Sequence, residues 1–479
     1  LKNKRETMGK ERVLIANRGE IAIRIMDACK GLGLDYCVVY APEDDASLHV
    51  SLARDDNKDG VKRAYCVANY KDPNEIFSVA DQSGCTAIHP GYGFFAENFR
   101  FARRAEMRSR PLVFIGPRWE VIRDLGSKIN TKRLARSLDI PVIPGSEGPI
   151  YNEIDAEAVA EELFFVQKEQ GVQHPSILVK ASAGGGGMGI EEVTHLDAFR
   201  RVYRRIQNYA KRQFGDDGVL IEQNLRDYQH IEVQLLCSRH GEVVHFGTRN
   251  CTIQSAGRQK RVEVAPGFDP DMFEYPFDAR SVLDRMVAYS VRLARHVGYD
   301  SAGTWEWVVT RDGSPYLLEV NTRIQVENGI SARIARIKGR DGYPNLIREQ
   351  IRLALGEKLG YRQEDISFEG TSIELRIVAE DTRRGFRPWC GAINRFQFPD
   401  VSWAEVYSHV PRDMAYNIPT EYDPNLALVV IWGKNTEDAK VKAMEFLGGA
   451  AIEGSDAQSM TIIHNLDYLA ERVNDVLKF

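Results

Sequence analysis

The chain is most easily bounded by what it lacks. No apolar run approaches the roughly 18 residues a membrane-spanning helix requires, so no such span is expected. Residues Leu1 to Arg12 are polar and charged, which is unlike a secretory signal. The seven cysteines (29, 37, 66, 85, 237, 251 and 390) are odd in number and contain no Cys-x-x-Cys pair. That excludes a disulfide framework and a zinc site built from cysteine pairs, and it predicts mostly small buried thiols in a reducing compartment. No charge of one sign dominates: Lys+Arg 63 against Asp+Glu 68 leaves −5, so no nucleic-acid partner is expected. No Gly-x-Gly-x-x-Gly follows the first strand, and there is no internal repeat or low-complexity linker. What remains is a cytoplasmic, multidomain protein.

At 479 residues the length suggests about three domains. Val13 to Ala16 is a short apolar run followed by Asn17-Arg18-Gly19-Glu20. Ile21, Ile25, Ala28 and Leu32 recur at helical spacing, and Asp35 to Tyr40 reads as a second buried strand. Strand, turn, helix, strand begins an α/β unit with a parallel sheet, continued by Thr86 to Ile88 and Leu112 to Ile115. A first domain is placed at residues 10–125. Beyond 126 the texture becomes α+β: Ser176 to Lys180, Val219 to Glu222, His230 to Leu236, Glu242 to Thr248, and a hairpin of Thr304 to Val309 with Tyr316 to Val320 around Asp312-Gly313. The second domain is placed at 126–339. A third, at 340–479, opens with a helix at Leu346 to Leu355 and includes strands at Ser372 to Val378 and Leu426 to Trp432.

Five features carry chemistry. Ala183 to Gly189, with Gly184 to Gly187 in succession, lets backbone N–H groups approach a polyphosphate, and Lys180 on the preceding strand supplies charge. It is not a Walker A loop, and alone it reads as well as a surface loop. Glu306 and Glu319 lie on the two strands of the hairpin, with Asn321 two residues beyond Glu319 on the same face. Such oxygen donors suit Mg²⁺ or Mn²⁺, or else form a solvated face. Arg323, Gln325 and Glu327 alternate, so an extended chain points all three one way: an anion clamp with a base, or an exposed edge strand. Gln254, Arg258, Lys260, Lys128 and the lone His230 add polar groups upstream. Arg376, inside the apolar Ile373 to Val378, calls for an anionic or carbonyl partner, in a site or equally in a structural salt bridge.

Together these stretches resemble the biotin carboxylases: Val13 to Ala22, His89-Pro90-Gly91-Tyr92-Gly93-Phe94 with Glu97-Asn98, Lys180-Ala181-Ser182 with its glycine loop, Glu319 to Glu327, and Leu375 to Asp381. The similarity runs in order from Arg12 to Leu466. It implies a multidomain α/β and α+β fold: a Rossmann-like N-terminal domain, a central ATP-grasp domain with a mobile lid at about 144–224, and a C-terminal biotin carboxylase domain. The implied reaction uses MgATP and bicarbonate to make carboxyphosphate, whose CO₂ is captured by N1′ of biotin on a carrier protein. By resemblance, Lys128, Lys180, Gly185, Gly186, Gly187 and Met188 hold phosphates. Glu222, Gln223 and Leu225 lie at the adenine, and His230, Gln254 and Arg258 lie near the ribose and phosphates. Glu306, Glu319 and Asn321 bind metal. Lys260, Arg323, Gln325 and Val326 hold bicarbonate, with Glu327 as base. Arg376 stabilises the biotin enolate, and Tyr92 lines the biotin pocket.

Several positions depart from the family pattern. Met188 replaces an arginine and Gln223 a lysine, each removing about 1–3 kcal/mol of ATP binding. The segment Gln254 to Lys260 is one residue longer, with Arg258 where a histidine is expected. Asn328 replaces a histidine, Pro388-Trp389-Cys390-Gly391 replaces a Pro-Ser-Pro-Gly turn, and Leu428 replaces a lysine. No Met-Lys-Met biotin attachment site is present, so the resemblance implies a separate biotin carboxylase subunit, homodimeric. It would work with a biotin carboxyl carrier protein and a carboxyltransferase subunit. Two rival readings are another ATP-grasp ligase and a non-catalytic nucleotide-binding regulator.

Overall fold

The computed structural model describes residues 11–182, 189–255, 259–412, 415–420, 422 and 424–479. It falls into two units: residues 1–126, 230–306 and 320–479 form one, and 127–229 with 307–319 the other.

The first unit opens with a parallel sheet of β1 (Arg12–Ile15), β2 (Asp35–Tyr40), β3 (Ala64–Cys66), β4 (Ala87–His89) and β5 (Val113–Phe114), in the order β3-β2-β1-β4-β5. Its strands are continuous apolar runs because helices cover the sheet, as parallel sheets demand. The Gly19–Gly31 helix buries Ile21, Ile25 and Ala28, the spacing read from the sequence. Asp72 and Asn98 cap the helices that follow them by accepting from backbone N–H groups of the first turn.

In the second unit β6 (Ile177–Ala181), β7 (Ile190–Val193) and β8 (Val219–Gln223) form an antiparallel sheet in the order β7-β6-β8. Helices Glu153–Glu169 and Leu196–Phe214 supply its core through Leu163, Phe164, Phe199 and Tyr203. The tip of the 304–320 hairpin belongs here, held by the Leu317 N–H donating to the Pro141 carbonyl at 2.8 Å.

The rest of the first unit is built on a long antiparallel sheet. Its strands are β9 (Tyr228–Cys237), β10 (Val243–Gln254), β11 (Lys260–Ala265), β12 (Ala302–Thr310), β13 (Pro315–Asn321), β14 (Thr371–Val378), β15 (Ala404–Ser408) and β16 (Asn425–Gly433). Within this unit the order runs β12-β9-β10-β11-β14-β16-β15. Polar or charged residues alternate with apolar ones along β9, β11 and β14; Glu232, Glu263 and Glu374 are fully buried, and Lys260 and Arg376 nearly so. That face needs internal partners, because a buried charge left alone is costly. Among the described residues, no helix is long and apolar enough to cross a membrane.

Candidate active site

The charged face of the long sheet is where the sequence-predicted residues of the first unit gather. Lys260, at the start of β11, sends its Nζ to Glu327 Oε1 at 2.7 Å, to Glu306 Oε1 at 3.3 Å and to Glu232. Burial alone would lower the lysine, but Glu232, Glu306 and Glu327 outweigh it and keep it protonated far above its ordinary range. Glu327 also accepts from Arg376 Nη2 at 3.0 Å. Burial would raise this carboxyl, yet Lys260, Arg376 and Arg249 hold it well below the usual carboxylate range.

Glu306 is surrounded by donors. Asn321 Nδ2 donates to its Oε1 at 2.7 Å, Gln325 Nε2 donates at 3.0 Å, and His230 Nε2 lies 3.1 Å from Oε2. Gln254 Nε2 donates both to the Cys251 carbonyl at 2.9 Å and to His230 Nδ1 at 3.1 Å. With Nδ1 accepting, the histidine proton sits on Nε2, facing Glu306. The carboxylate is therefore ionised despite its burial. The tryptophans on either side of it, Trp305 and Trp307, are buried on the other face. The face opposite them is thus a charged interior, not a solvated one.

The 321–327 stretch corrects one expectation. Arg323, Gln325 and Glu327 do not alternate on an extended strand; β13 ends at Asn321, and a turn leads into the Asn328–Ile334 helix. Residues of this turn therefore reach different partners. Arg323 meets Glu97 Oε2 at 3.1 Å and donates to Asn321 Oδ1 at 3.1 Å. Gln325 accepts from Arg249 at 2.7 Å. Val326 offers its carbonyl to Arg24 Nη1 at 3.0 Å. Asn328 donates to the Gln325 carbonyl at 2.7 Å, bracing the turn from the departure position.

Tyr92 donates to Glu20, which also pairs with Arg24 at 3.6 Å, so Tyr92, Glu20, Arg24 and Val326 form one polar chain. The turn carrying Tyr92 is closed by Asn17 Nδ2, which donates to the Pro90 and Tyr92 carbonyls at 2.6 and 2.7 Å. Gly91 sits between them at φ 62°, and a Cβ there would lie 2.9 Å from that Nδ2. Both facts require glycine.

In the second unit, Lys128 pairs with Glu319 Oε2 at 2.6 Å, and Lys180 pairs with Glu222. Glu222 also takes Lys132. Burial opposes its ionisation, but the two lysines draw the carboxyl down to about 2. Gln223 is the last residue of β8, its N–H given to the Pro144 carbonyl at 2.8 Å, and Leu225 follows half-buried. Gly185, Gly186, Gly187, Met188 and Arg258 lie outside the described residues.

Sequence reasoning missed the residues that organise this face. Arg249 on β10 is fully buried and reaches Glu232 at 2.9 Å, Gln234 at 2.8 Å, Ser331 at 3.0 Å, Thr304 at 3.1 Å and Gln325 at 2.7 Å. Glu263 and Glu374 sit opposite each other in the β11–β14 register, and both accompany Arg376. One oxygen each from Glu263, Glu327 and Glu374 lies within 4.8 Å of the others. Burial, with Glu327 adding to it against Arg376, pushes Glu263 up to about 7. The detectable signal was polar residues at period two within apolar strands, as in Glu374 and Arg376. Lys132 had its own signal, one helical turn after Lys128. Leu428, a departure position, lies directly opposite Arg376 on β16 and is buried.

Three family models match the chain: "Biotin carboxylase, N-terminal domain" over residues 9–122, "Carbamoyl-phosphate synthase L chain, ATP binding domain" over 127–362, and "Biotin carboxylase C-terminal domain" over 374–473. The 2-oxoglutarate carboxylase small subunit of Hydrogenobacter thermophilus is 37% identical, over 88% of this chain and 82% of its own. Biotin carboxylase 1 of Bacillus subtilis is 35% identical, over 93% and 92%. Among solved structures, the biotin carboxylase domain dimer of the Hydrogenobacter thermophilus enzyme, in complex with MgADP, ADP and bicarbonate, has a TM-score of 0.82 at 34% identity. That match covers 97% of this chain and 94% of the other. A Campylobacter jejuni biotin carboxylase–βγ-ATP complex has a TM-score of 0.83 at 29% identity, covering 98% and 96%. With matches in order along nearly its whole length, this chain belongs to the biotin carboxylase family of ATP-dependent ligases.

Proposed function

We propose that this chain uses MgATP and bicarbonate to carboxylate N1′ of biotin on a separate carrier protein, by way of carboxyphosphate. The observation that supports it most is Glu327, a buried carboxylate between Lys260 at 2.7 Å and Arg376 at 3.0 Å. Bicarbonate, an anion, is held by Lys260, Arg323, Gln325 and the Val326 backbone. Its arrival redistributes the positive charge that now depresses Glu327. The carboxylate becomes more basic as the substrate binds, and it takes the bicarbonate proton. The deprotonated oxygen then attacks the γ-phosphorus, and ADP leaves.

Carboxyphosphate breaks into CO₂ and phosphate, the released phosphate takes the N1′ proton, N1′ bonds to the CO₂ carbon, and Arg376 turns to the biotin oxygen that gains charge meanwhile. Glu263 helps here: a carboxyl pushed up to about 7 carries its proton part of the time, which leaves the guanidinium less fully neutralised. Tyr92, anchored through Glu20, lines the biotin site. In the second unit, Lys128, Lys180 and the glycine loop take phosphate oxygens, while Glu222, Gln223 and Leu225 face the adenine. His230, Gln254 and Arg258 complete the nucleotide contacts.

The donor set fits a divalent cation. Glu306 is ionised and already oriented by Asn321 and Gln325, and these hard oxygens are of the kind Mg²⁺ or Mn²⁺ accepts. Glu306, Asn321 and Glu319 would hold the metal, whose chemistry is to offset charge on the phosphate oxygens. The partners of the reaction are a biotin carboxyl carrier protein and a carboxyltransferase subunit, with the chain itself a cytoplasmic homodimer.

The test is phosphate release from MgATP with bicarbonate, with and without biotin, for wild type, Glu327→Gln and Lys260→Ala. Biotin-stimulated turnover falling by about 10²–10⁴ in both variants is expected. Turnover independent of bicarbonate would assign another ATP-grasp ligase. Absent turnover, with nucleotide bound and carrier supplied, would leave a nucleotide-binding regulator.

A further inference from the structure

We propose that Cys37 and Cys85 are a dithiol modification site that a peroxide closes to an intramolecular disulfide. Their Sγ atoms are 3.4 Å apart although the residues are 48 apart in sequence. Cys37 lies on β2, and Cys85 lies between the Pro73–Ser83 helix and β4. β1 separates β2 from β4 in the sheet, and both thiols belong to the same apolar cluster on one of its faces. A disulfide needs about 2.05 Å between sulfurs, so the pair has to close by about 1.4 Å.

The two sulfurs are not equivalent. Cys37 is fully buried, whereas Cys85 keeps 9% of its surface exposed. Ser83 Oγ lies 3.1 Å from Cys85 Sγ, and Arg12 Nη1 donates to the Ser83 carbonyl at 2.6 Å, placing a cation close by. The Cys37 hydrogen bond, with Ser83 and Arg12, outweighs burial and draws the Cys85 thiol down, while burial holds the Cys37 thiol up. Cys85 is therefore the attacking thiolate and Cys37 the resolving thiol. The other buried cysteines, 29, 237 and 251, are pushed up by burial and have no second sulfur within bonding reach among the described contacts.

The chemistry balances as follows. The Cys85 thiolate attacks one peroxide oxygen, an S–O bond forms, the O–O bond breaks, and the leaving hydroxide takes a proton to become water. Cys37 then loses its proton and attacks the Cys85 sulfur. The S–S bond forms, the S–O bond breaks, and a second water leaves with that proton. Two thiols and one hydrogen peroxide give one disulfide and two waters.

The full chain, with Cys66→Ser and Cys390→Ser removing the exposed thiols, is treated with hydrogen peroxide, denatured, alkylated and mapped by peptide mass spectrometry. The expected result is loss of two alkylatable thiols per chain, a Cys37–Cys85 cross-linked peptide, and full reversal by dithiothreitol. Cys37→Ser should instead stop at a Cys85 sulfenic acid, trapped when the chain is denatured in dimedone, without a cross-link. If that variant does not fold, mapping of the parent chain decides alone. In wild-type chain, oxidation of Cys66 and Cys390 at a dose that leaves Cys37 and Cys85 fully alkylatable would overturn the proposal, as would a cross-link between any other pair.

Discussion

Replacing Glu263 by glutamine should make the protein's stability less dependent on pH, in a calculable direction. Glu263 is buried on β11, opposite Glu374 and beside Arg376, Glu327 and Lys260. Its carboxyl moves from 4.5 up to about 7 on folding, so between those values the native state binds the proton that the unfolded chain releases. Stability from this proton is fully present below pH 4.5 and is lost as pH rises through 7. Integrating that uptake from pH 5 to pH 8 gives about 2.5 kcal/mol lost by wild type. Glutamine keeps the volume and cannot ionise, so the variant should lack this loss. The assay is urea unfolding of both proteins from pH 5 to pH 8, comparing free energies at each pH. Wild type and variant should be closest at low pH, with the variant gaining on wild type by about 2–3 kcal/mol towards pH 8. Parallel curves across that range would refute the reasoning, because they would mean Glu263 is ionised in the native state throughout.

Arg249→Met leaves Glu232 short of a buried cation and should destabilise the chain by about 3–5 kcal/mol, read by urea unfolding, with Arg249→Lys recovering only part. Glu222 is drawn down to about 2 by Lys132 and Lys180. Its stabilisation is present above pH 4.5 and is lost as pH falls towards 2, so Glu222→Gln should flatten the acid limb of the unfolding profile between pH 5 and 3. Glu306→Gln should raise the Mg²⁺ concentration for half-maximal phosphate release by at least about tenfold, the effect of about 1.4 kcal/mol. An unchanged Mg²⁺ dependence would remove Glu306 from the metal site.

The elements themselves were legible along the chain. Asp35 to Tyr40 forms the strand its apolar run predicts, and the helix after Arg18 carries the expected Ile21, Ile25, Ala28 stripe. Such patterns are local, since a period of two or 3.6 residues needs only neighbours in sequence. The motif order along the chain likewise carried the family. Local pattern was less reliable at 323–327, where alternation implied a strand. There the Asn328–Ile334 helix begins one residue after Glu327, and the chain must turn to enter it.

What only tertiary structure decided was the pairing of buried charges. Arg249 finds Ser331 across 82 residues and Gln325 across 76, and Glu263 faces Glu374 through strand register alone. In sequence, each is one charged residue in an apolar strand, equally consistent with solvent or with an internal partner. Glu327 shows the same limit. Its residue type marks a possible base, but its ionisation depends on Lys260, Arg376 and Arg249, which three strands bring to it. Electrostatic energy depends on distance and on exclusion of water, and neither exists until the sheet closes.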